Sequence, residues 1–145
     1  MIKILSDCDP SLLGPKHNQI HDIANSVLTF YNIRDAEISI IFGDDDLLNR
    51  LKKSFFNKNE LTDVIAFRLN DYKNEKVEGE IYISLLRAKE NAKMYKEPYG
   101  KEVSRLIIHA CLHLIGYSDE TKKQKLKMTE LKNKFINDIE WGKIF

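Results

Sequence analysis

Two cysteines, three prolines and six glycines are all that the 145 residues hold of these types, and each shortage narrows what the chain can be. Cys8 and Cys111 are too few and too far apart to staple a small fold with disulfides, and reduced thiols suit the cytoplasm, where the protein is expected to reside. No stretch rich in Pro, Gly or Ser interrupts the chain, so residues 1–145 are expected to form a single domain. There is no long uncharged apolar run of the kind that spans a bilayer. The opening MIKILSDCDP turns acidic too soon for a secretory signal. Net charge is nearly absent too: 23 Lys and Arg stand against 22 Asp and Glu, which excludes a globally basic nucleic-acid binder and leaves local patches to consider.

Histidine is also scarce, and two of the four fall in HACLHLIGYSDE, residues 109–120. His109 and His113 are four apart, which on a helix stacks them on one face about 6 Å apart along the axis, so both imidazoles can turn toward one ion. Gly116 follows, a residue able to take the left-handed conformation that ends a helix and reverses the chain. Asp119 then folds back as a third ligand. Three protein ligands leave a position for water, the arrangement of a catalytic rather than a structural zinc site. Val103, Leu106, Ile107, Ile108, Ala110, Cys111, Leu112, Leu114 and Ile115 make this helix apolar on nearly every side, hence buried, and two histidines buried there are costly unless something binds them. The plain alternative is a hydrogen-bonded histidine pair with Asp119 as a helix N-cap. His17 and His21 repeat the spacing in HNQIH without a turn or a carboxylate after them, so metal is not expected there. After His109 stands Ala110, where an HExxH peptidase needs its glutamate base. What remains is metal-assisted hydrolysis, in which the ion lowers the pKa of its water to roughly 7.

Apolar periodicity and caps predict strands at Ile2–Leu5, Ala36–Phe42, Val64–Phe67 and Glu80–Ser84, and helices at about Pro15–Tyr31, Asp45–Phe55, Leu85–Tyr95, Lys101–Ile115 and Thr121–Asp138, with residues 69–78 as a polar connection. This is an α/β (α+β) chain, a small mixed four-stranded sheet covered by about five helices, with the metal site at a helix end. Ser84 reads as a cap. Asp44, Asp45 and Asp46 read as an N-cap and acidic first turn rather than a second metal cluster. Cys111 lies off the histidine face and reads as core packing. Arg50, Lys52, Lys53 and Lys58 form one basic stretch. Lys122, Lys123, Lys125, Lys127, Lys132 and Lys134 form another, on a face opposite the stripe Met128, Leu131 and Phe135 that is at least as well explained by solvation as by RNA contact.

Three ordered stretches together resemble a known family. HACLHLIGYSDE is similar to the HGxLHLxGYDH signature of the YbeY family, metal-dependent single-strand endoribonucleases associated with ribosomal RNA maturation. LTDVIAF, residues 61–67, resembles its PTDVLSF, and GEIYIS, residues 79–84, its GDIxIS. The resemblance spans about residues 36–135. It implies a zinc ion at His109, His113 and Asp119 on a zincin-like metal helix, with single-stranded ribosomal RNA and the small ribosomal subunit as substrate and partner. It also makes Thr62 and Asp63 site-lining, catalytic candidates beside the metal-bound water, turn chemistry before a strand being their plain alternative. That water is either the nucleophile or the base for a ribose 2′-hydroxyl.

The chain departs from the family pattern at three positions. Asp119 stands where histidine is usual, and carboxylate is an accepted zinc ligand. Ala110 replaces a glycine. Phe56 stands six residues before Thr62, where the family has an arginine thought to face the substrate phosphate; Lys53 or Lys58 is the expected replacement, without the bidentate fork. Two other functions fit the same metal pattern: hydrolysis of a small nucleoside or phosphoester in a closed pocket, and a ribosome-associated factor with a structural metal and weak catalysis.

Overall fold

Alternation of side chains writes the sheet into the sequence. In the computed structural model, which describes residues 1–145, β1 (Ile2–Cys8) is followed by α1 (His17–Phe30) and β2 (Ala36–Gly43). β2 buries Ala36, Ile38, Ile40 and Phe42, while Glu37, Ser39 and Ile41 point the other way. The chain continues through α2 (Asp45–Phe56) and β3 (Val64–Arg68) to β4 (Val77–Ser84), which buries Val77, Gly79, Ile81 and Ile83 on the same principle. The strand order is β1-β2-β4-β3, with the first two pairings parallel and β3 antiparallel to β4 at the edge. Parallel neighbours need crossovers. α1 makes the first, and α2 with the edge strand makes the second.

After the sheet come α3 (Leu85–Tyr95), α4 (Tyr99–Leu114), α5 (Lys122–Asn137) and a short 3-10 turn, Trp141–Lys143. α4 is the centre of the molecule. It contacts α1, α3, α5 and β3, and Val103, Leu106, Ile107, Ile108, Cys111, Leu112 and Leu114 on it are buried. Each such aliphatic contributes about 1.5–3 kcal/mol, so the apolar flanks of the two histidines are what fix the helix in place. Gly79 shows how closely α4 crosses the sheet: a Cβ there would stand 2.8 Å from Leu114 Cδ1 and 3.2 Å from the Phe67 carbonyl. The glycine of GEIYIS is therefore a packing requirement.

The expected mixed four-stranded sheet and five helices are present, with shifted ends. β1 runs on to Cys8, because its pairing with β2 continues to Cys8↔Phe42 although Ser6 and Asp7 carry no apolar signal. β4 begins at Val77, opposite Ala36, inside the stretch read as a polar connection. α4 begins at Tyr99, directly after Pro98 as N-cap, and α1 begins at His17. Asp44 caps α2 by accepting the Leu47 N–H at 3.0 Å, and Asp45 accepts the Ser84 hydroxyl at 2.8 Å while pairing with Arg87 at 3.1 Å. Ser84 in turn caps α3 by accepting the Arg87 N–H at 3.1 Å. The acidic run and the serine thus serve helix ends, and Cys111 is wholly buried in the core.

Candidate metal centre

α4 ends in a reversal that local chemistry dictates. Gly116 has φ +110°, a conformation strained for any residue bearing a Cβ. Its N–H donates to the His113 carbonyl at 3.1 Å, and the Tyr117 N–H donates to the Leu112 carbonyl at 3.0 Å, the paired bonds of a Schellman motif. Just beyond, a capping box starts α5: Thr121 Oγ1 accepts the Gln124 N–H at 3.1 Å, and Gln124 Oε1 accepts the Thr121 N–H at 3.0 Å. Thr121 is the N-cap, so Asp119 is not. Held between these two fixed points, Asp119 turns back on the histidines.

Asp119 Oδ2 lies 3.4 Å from His109 Nε2 and 3.5 Å from His113 Nε2, and the two Nε2 atoms are 2.9 Å apart. Donors about 2.0–2.1 Å from a tetrahedral ion are roughly 3.4 Å from one another, so this triangle fits one divalent ion. Two imidazoles and one carboxylate are also a suitable donor set. Burial, then Lys132, then His113 push the His109 imidazole down to about 3, against the pull of Asp119. His109 is therefore neutral near pH 7, the form that ligates metals. His17 and His21 join no such cluster; His17 Nδ1 is 2.6 Å from Ser6 Oγ and His21 Nδ1 is 3.6 Å from Asp22.

The triad lines a cavity of about 910 Å³. Thr62 and Asp63, from the turn before β3, line it as well, so the structure brings these sequence candidates and the metal triangle together. Asp63 is held twice: its carbonyl accepts the Ser84 N–H at 2.9 Å, and its Oδ2 accepts from Asn91 Nδ2 at 3.0 Å. Phe56 lines the cavity and stacks on Phe67, with centroids 5.9 Å apart and planes at 14°. Of the two lysines expected to replace the missing arginine, Lys58 lines the cavity and Lys53 does not. Lys52 lines it instead, its Nζ 4.9 Å from the Phe56 ring centroid and 3.4 Å from Glu60. One residue along α2 is a rotation of about 100°, which decides which lysine faces inward.

Sequence reasoning missed four groups near the site. Lys132 was expected on the solvated face of α5, but it is half-buried, its ammonium pushed below the usual lysine value by burial and by Arg105. Asn91, Glu102 and Arg105 were not singled out. The signal was present in the spacing of Glu102, Arg105, His109 and His113, which lays a polar stripe along an otherwise apolar helix.

The His-His-Asp triangle opening on a cavity of this α/β fold, taken together with the relatives of the chain, makes it a metal-dependent hydrolase. More particularly, the chain belongs to the Endoribonuclease YbeY family, whose model matches residues 14–140, a longer span than the three motifs cover. It is 39% identical over 105 residues to Endoribonuclease YbeY of Flavobacterium psychrophilum, covering 72% of this chain and 73% of that one. With Endoribonuclease YbeY of Thermotoga petrophila the identity is 31%, over 98% of this chain and 90% of the relative. A solution structure of a Thermotoga maritima protein is similar with a TM-score of 0.63 at 27% identity, covering 98% of this chain and 90% of that one. No helix is long and apolar enough to cross a membrane.

Proposed function

We propose that the protein is a zinc-dependent endoribonuclease that cuts single-stranded RNA, working in the cytoplasm as one domain of residues 1–145 on ribosomal RNA of the small ribosomal subunit during its maturation. The observation that carries this reading is the convergence of His109, His113 and Asp119 on a cavity in a chain of the YbeY family. Two imidazoles with one carboxylate are an accepted catalytic zinc set, with a position left for water. Bound there, zinc supplies Lewis acidity that lowers the pKa of water to about 7 and draws charge from the attacked phosphodiester.

The chain's own residues account for the rest. Lys52 and Lys58 on the cavity wall offer cations to the phosphate backbone, as point charges rather than a planar fork. Phe56 and Tyr72 are exposed aromatic rings on the same wall, able to stack unpaired bases. Asp63, anchored by Asn91, is the carboxylate available to move a proton, and Thr62 beside it supplies a hydroxyl. Single strands are favoured because an unpaired strand can bend a phosphate into a one-ion site while an A-form duplex holds it rigid.

The test is cleavage of an end-labelled single-stranded oligoribonucleotide and of the same sequence annealed to its complement, with zinc and with a chelator. The expected result is cutting of the single strand only, abolished by chelation. Equal cutting of both forms, or none of either, would overturn the reading.

A further inference from the structure

Half of the polar stripe on α4 takes no part in the metal triangle, yet its Glu102 is buried and its Arg105 half-buried. Glu102 is 4% exposed, and a carboxylate in that position is costly unless it is paired and hydrogen-bonded. Arg105 Nη1 donates to Glu102 Oε1 at 2.8 Å. Asn91 Nδ2, reaching across from α3, lies 3.4 Å from Glu102 Oε2 and 3.0 Å from Asp63 Oδ2. Burial pushes the Glu102 carboxyl up, Arg105 and Asn91 pull it down, and Asp63 pushes it up again.

Asn91 therefore stands between two carboxylates, one buried in the protein and one on the cavity wall. Its amide nitrogen carries two hydrogens and its amide oxygen none. Both acids demand hydrogens, so together they fix which way the amide faces; flipped, it would set an oxygen against two anions. The charge of Asp63 is felt by three further groups: it favours the protonated forms of Arg87 and Lys132 and opposes a second negative charge on Glu102.

We infer that Asn91 is a positioning residue for Asp63, that Glu102 and Arg105 hold the Asn91 amide in place, and that Asp63 is the proton-handling residue of the cavity. The inference rests on the endoribonuclease reading and names its acid–base group. Asp63 accepts the proton of the attacking oxygen as the bond from that oxygen to phosphorus forms; the bond from phosphorus to the leaving oxygen breaks, and the leaving oxygen takes its proton from water. Asn91 touches neither reacting atom. It fixes one carboxylate oxygen, so the other is presented to the cavity.

The experiment compares Asn91→Asp, Asn91→Ala and the double variant Asn91→Asp/Glu102→Gln with the wild type in their zinc-loaded forms. Turnover and KM on a single-stranded oligoribonucleotide, bound metal and thermal midpoint are measured together. Asn91→Asp is expected to lower kcat by about tenfold to a hundredfold, with one metal retained and KM within about twofold. It also brings a third carboxylate to the cluster and lowers the melting temperature. The double variant restores one amide and two carboxylates, so its melting temperature recovers. Its kcat stays low, because the amide now sits at position 102 and Asp63 still lacks its donor. Asn91→Ala, which adds no charge, is expected to lose kcat in the same way.

Recovery of kcat in step with melting temperature in the double variant would reduce the network to a structural role and overturn the relay, as would wild-type kcat in Asn91→Ala. A wild-type protein that leaves RNA intact would overturn the endoribonuclease reading and the relay with it. Wild-type cleavage with fully active variants would overturn the relay alone.

Discussion

Arg68 Nη1 donates to the Leu114 carbonyl at 2.8 Å, tying the edge strand to the last turn of the helix that carries both histidines. That carbonyl is one of four at the end of α4 with no partner inside the helix. The same guanidinium donates from Nε to Asn70 Oδ1 at 2.6 Å, and from Nη2 to the carbonyls of Asp71 at 3.1 Å and Lys76 at 3.2 Å. One side chain thus joins β3, the connection to β4 and the end of α4. It also carries Tyr72, whose ring centroid lies 4.9 Å from it, on the cavity wall.

Arg68→Met keeps the apolar stem and removes every donor. It is expected to lower the free energy of unfolding by about 2–4 kcal/mol and to weaken metal binding, measured by denaturant melts and metal titration. Unchanged metal affinity would show that the end of α4 is held without Arg68.

Gly116→Ala tests the turn itself. The nearest neighbour of an added Cβ is Tyr72 Cδ1 at 3.9 Å, so space is not the obstacle. The cost is backbone strain at positive φ, about 1–2 kcal/mol, with a displaced Asp119 and weaker metal binding. Gly142→Ala, where nothing lies within 4 Å of the added atom, is the control and should change stability by less than about 0.5 kcal/mol.

The contrast between these residues explains what could be read from sequence. His109, His113, Gly116 and Asp119 lie in one local stretch, and helix periodicity with one turn is enough to bring them together. Thr62 and Asp63 reached the site through the family resemblance. Asn91 and Lys132 could not be placed, because what brings them in is the packing of α3 and α5 against α4, a tertiary relationship with no local signature. The same holds for β1 and β4, whose extra residues are strands because a neighbour pairs with them. Lys52 shows the finest limit: choosing it over Lys53 needed the rotation of α2, whose single fully buried residue, Leu48, is not marked out from its neighbour Leu47 in the sequence.

His109 sets a pH dependence for the metal-free protein. Its imidazole is pushed from the usual 6.5 down to about 3 in the fold, so between those values the unfolded chain binds a proton that the folded one does not. Stability from this group is complete above about pH 6.5 and is lost as the pH falls toward 3, by up to about 1.4 kcal/mol per pH unit. Thermal melts of chelator-treated protein across that window should show the loss, and His109→Gln should flatten it. Equal slopes in the two proteins would mean that His109 is not held neutral.

Phe56→Arg gives up the stack on Phe67 and adds a guanidinium at the cavity wall. The expected result is faster cleavage of single-stranded RNA and a steeper salt dependence of binding, by about 0.7 in slope for one added phosphate contact. If neither the rate nor the slope changes, residue 56 does not meet the substrate.

The most direct measurement is the metal content of the protein as purified, without added ions, for the wild type, His113→Ala and Asp119→His. The expected result is one divalent ion per chain in the wild type, none in His113→Ala, where two remaining ligands do not suffice, and retention in Asp119→His, where imidazole replaces carboxylate in the same triangle. A wild type without metal, or His113→Ala with its full complement, would contradict a metal centre at His109, His113 and Asp119.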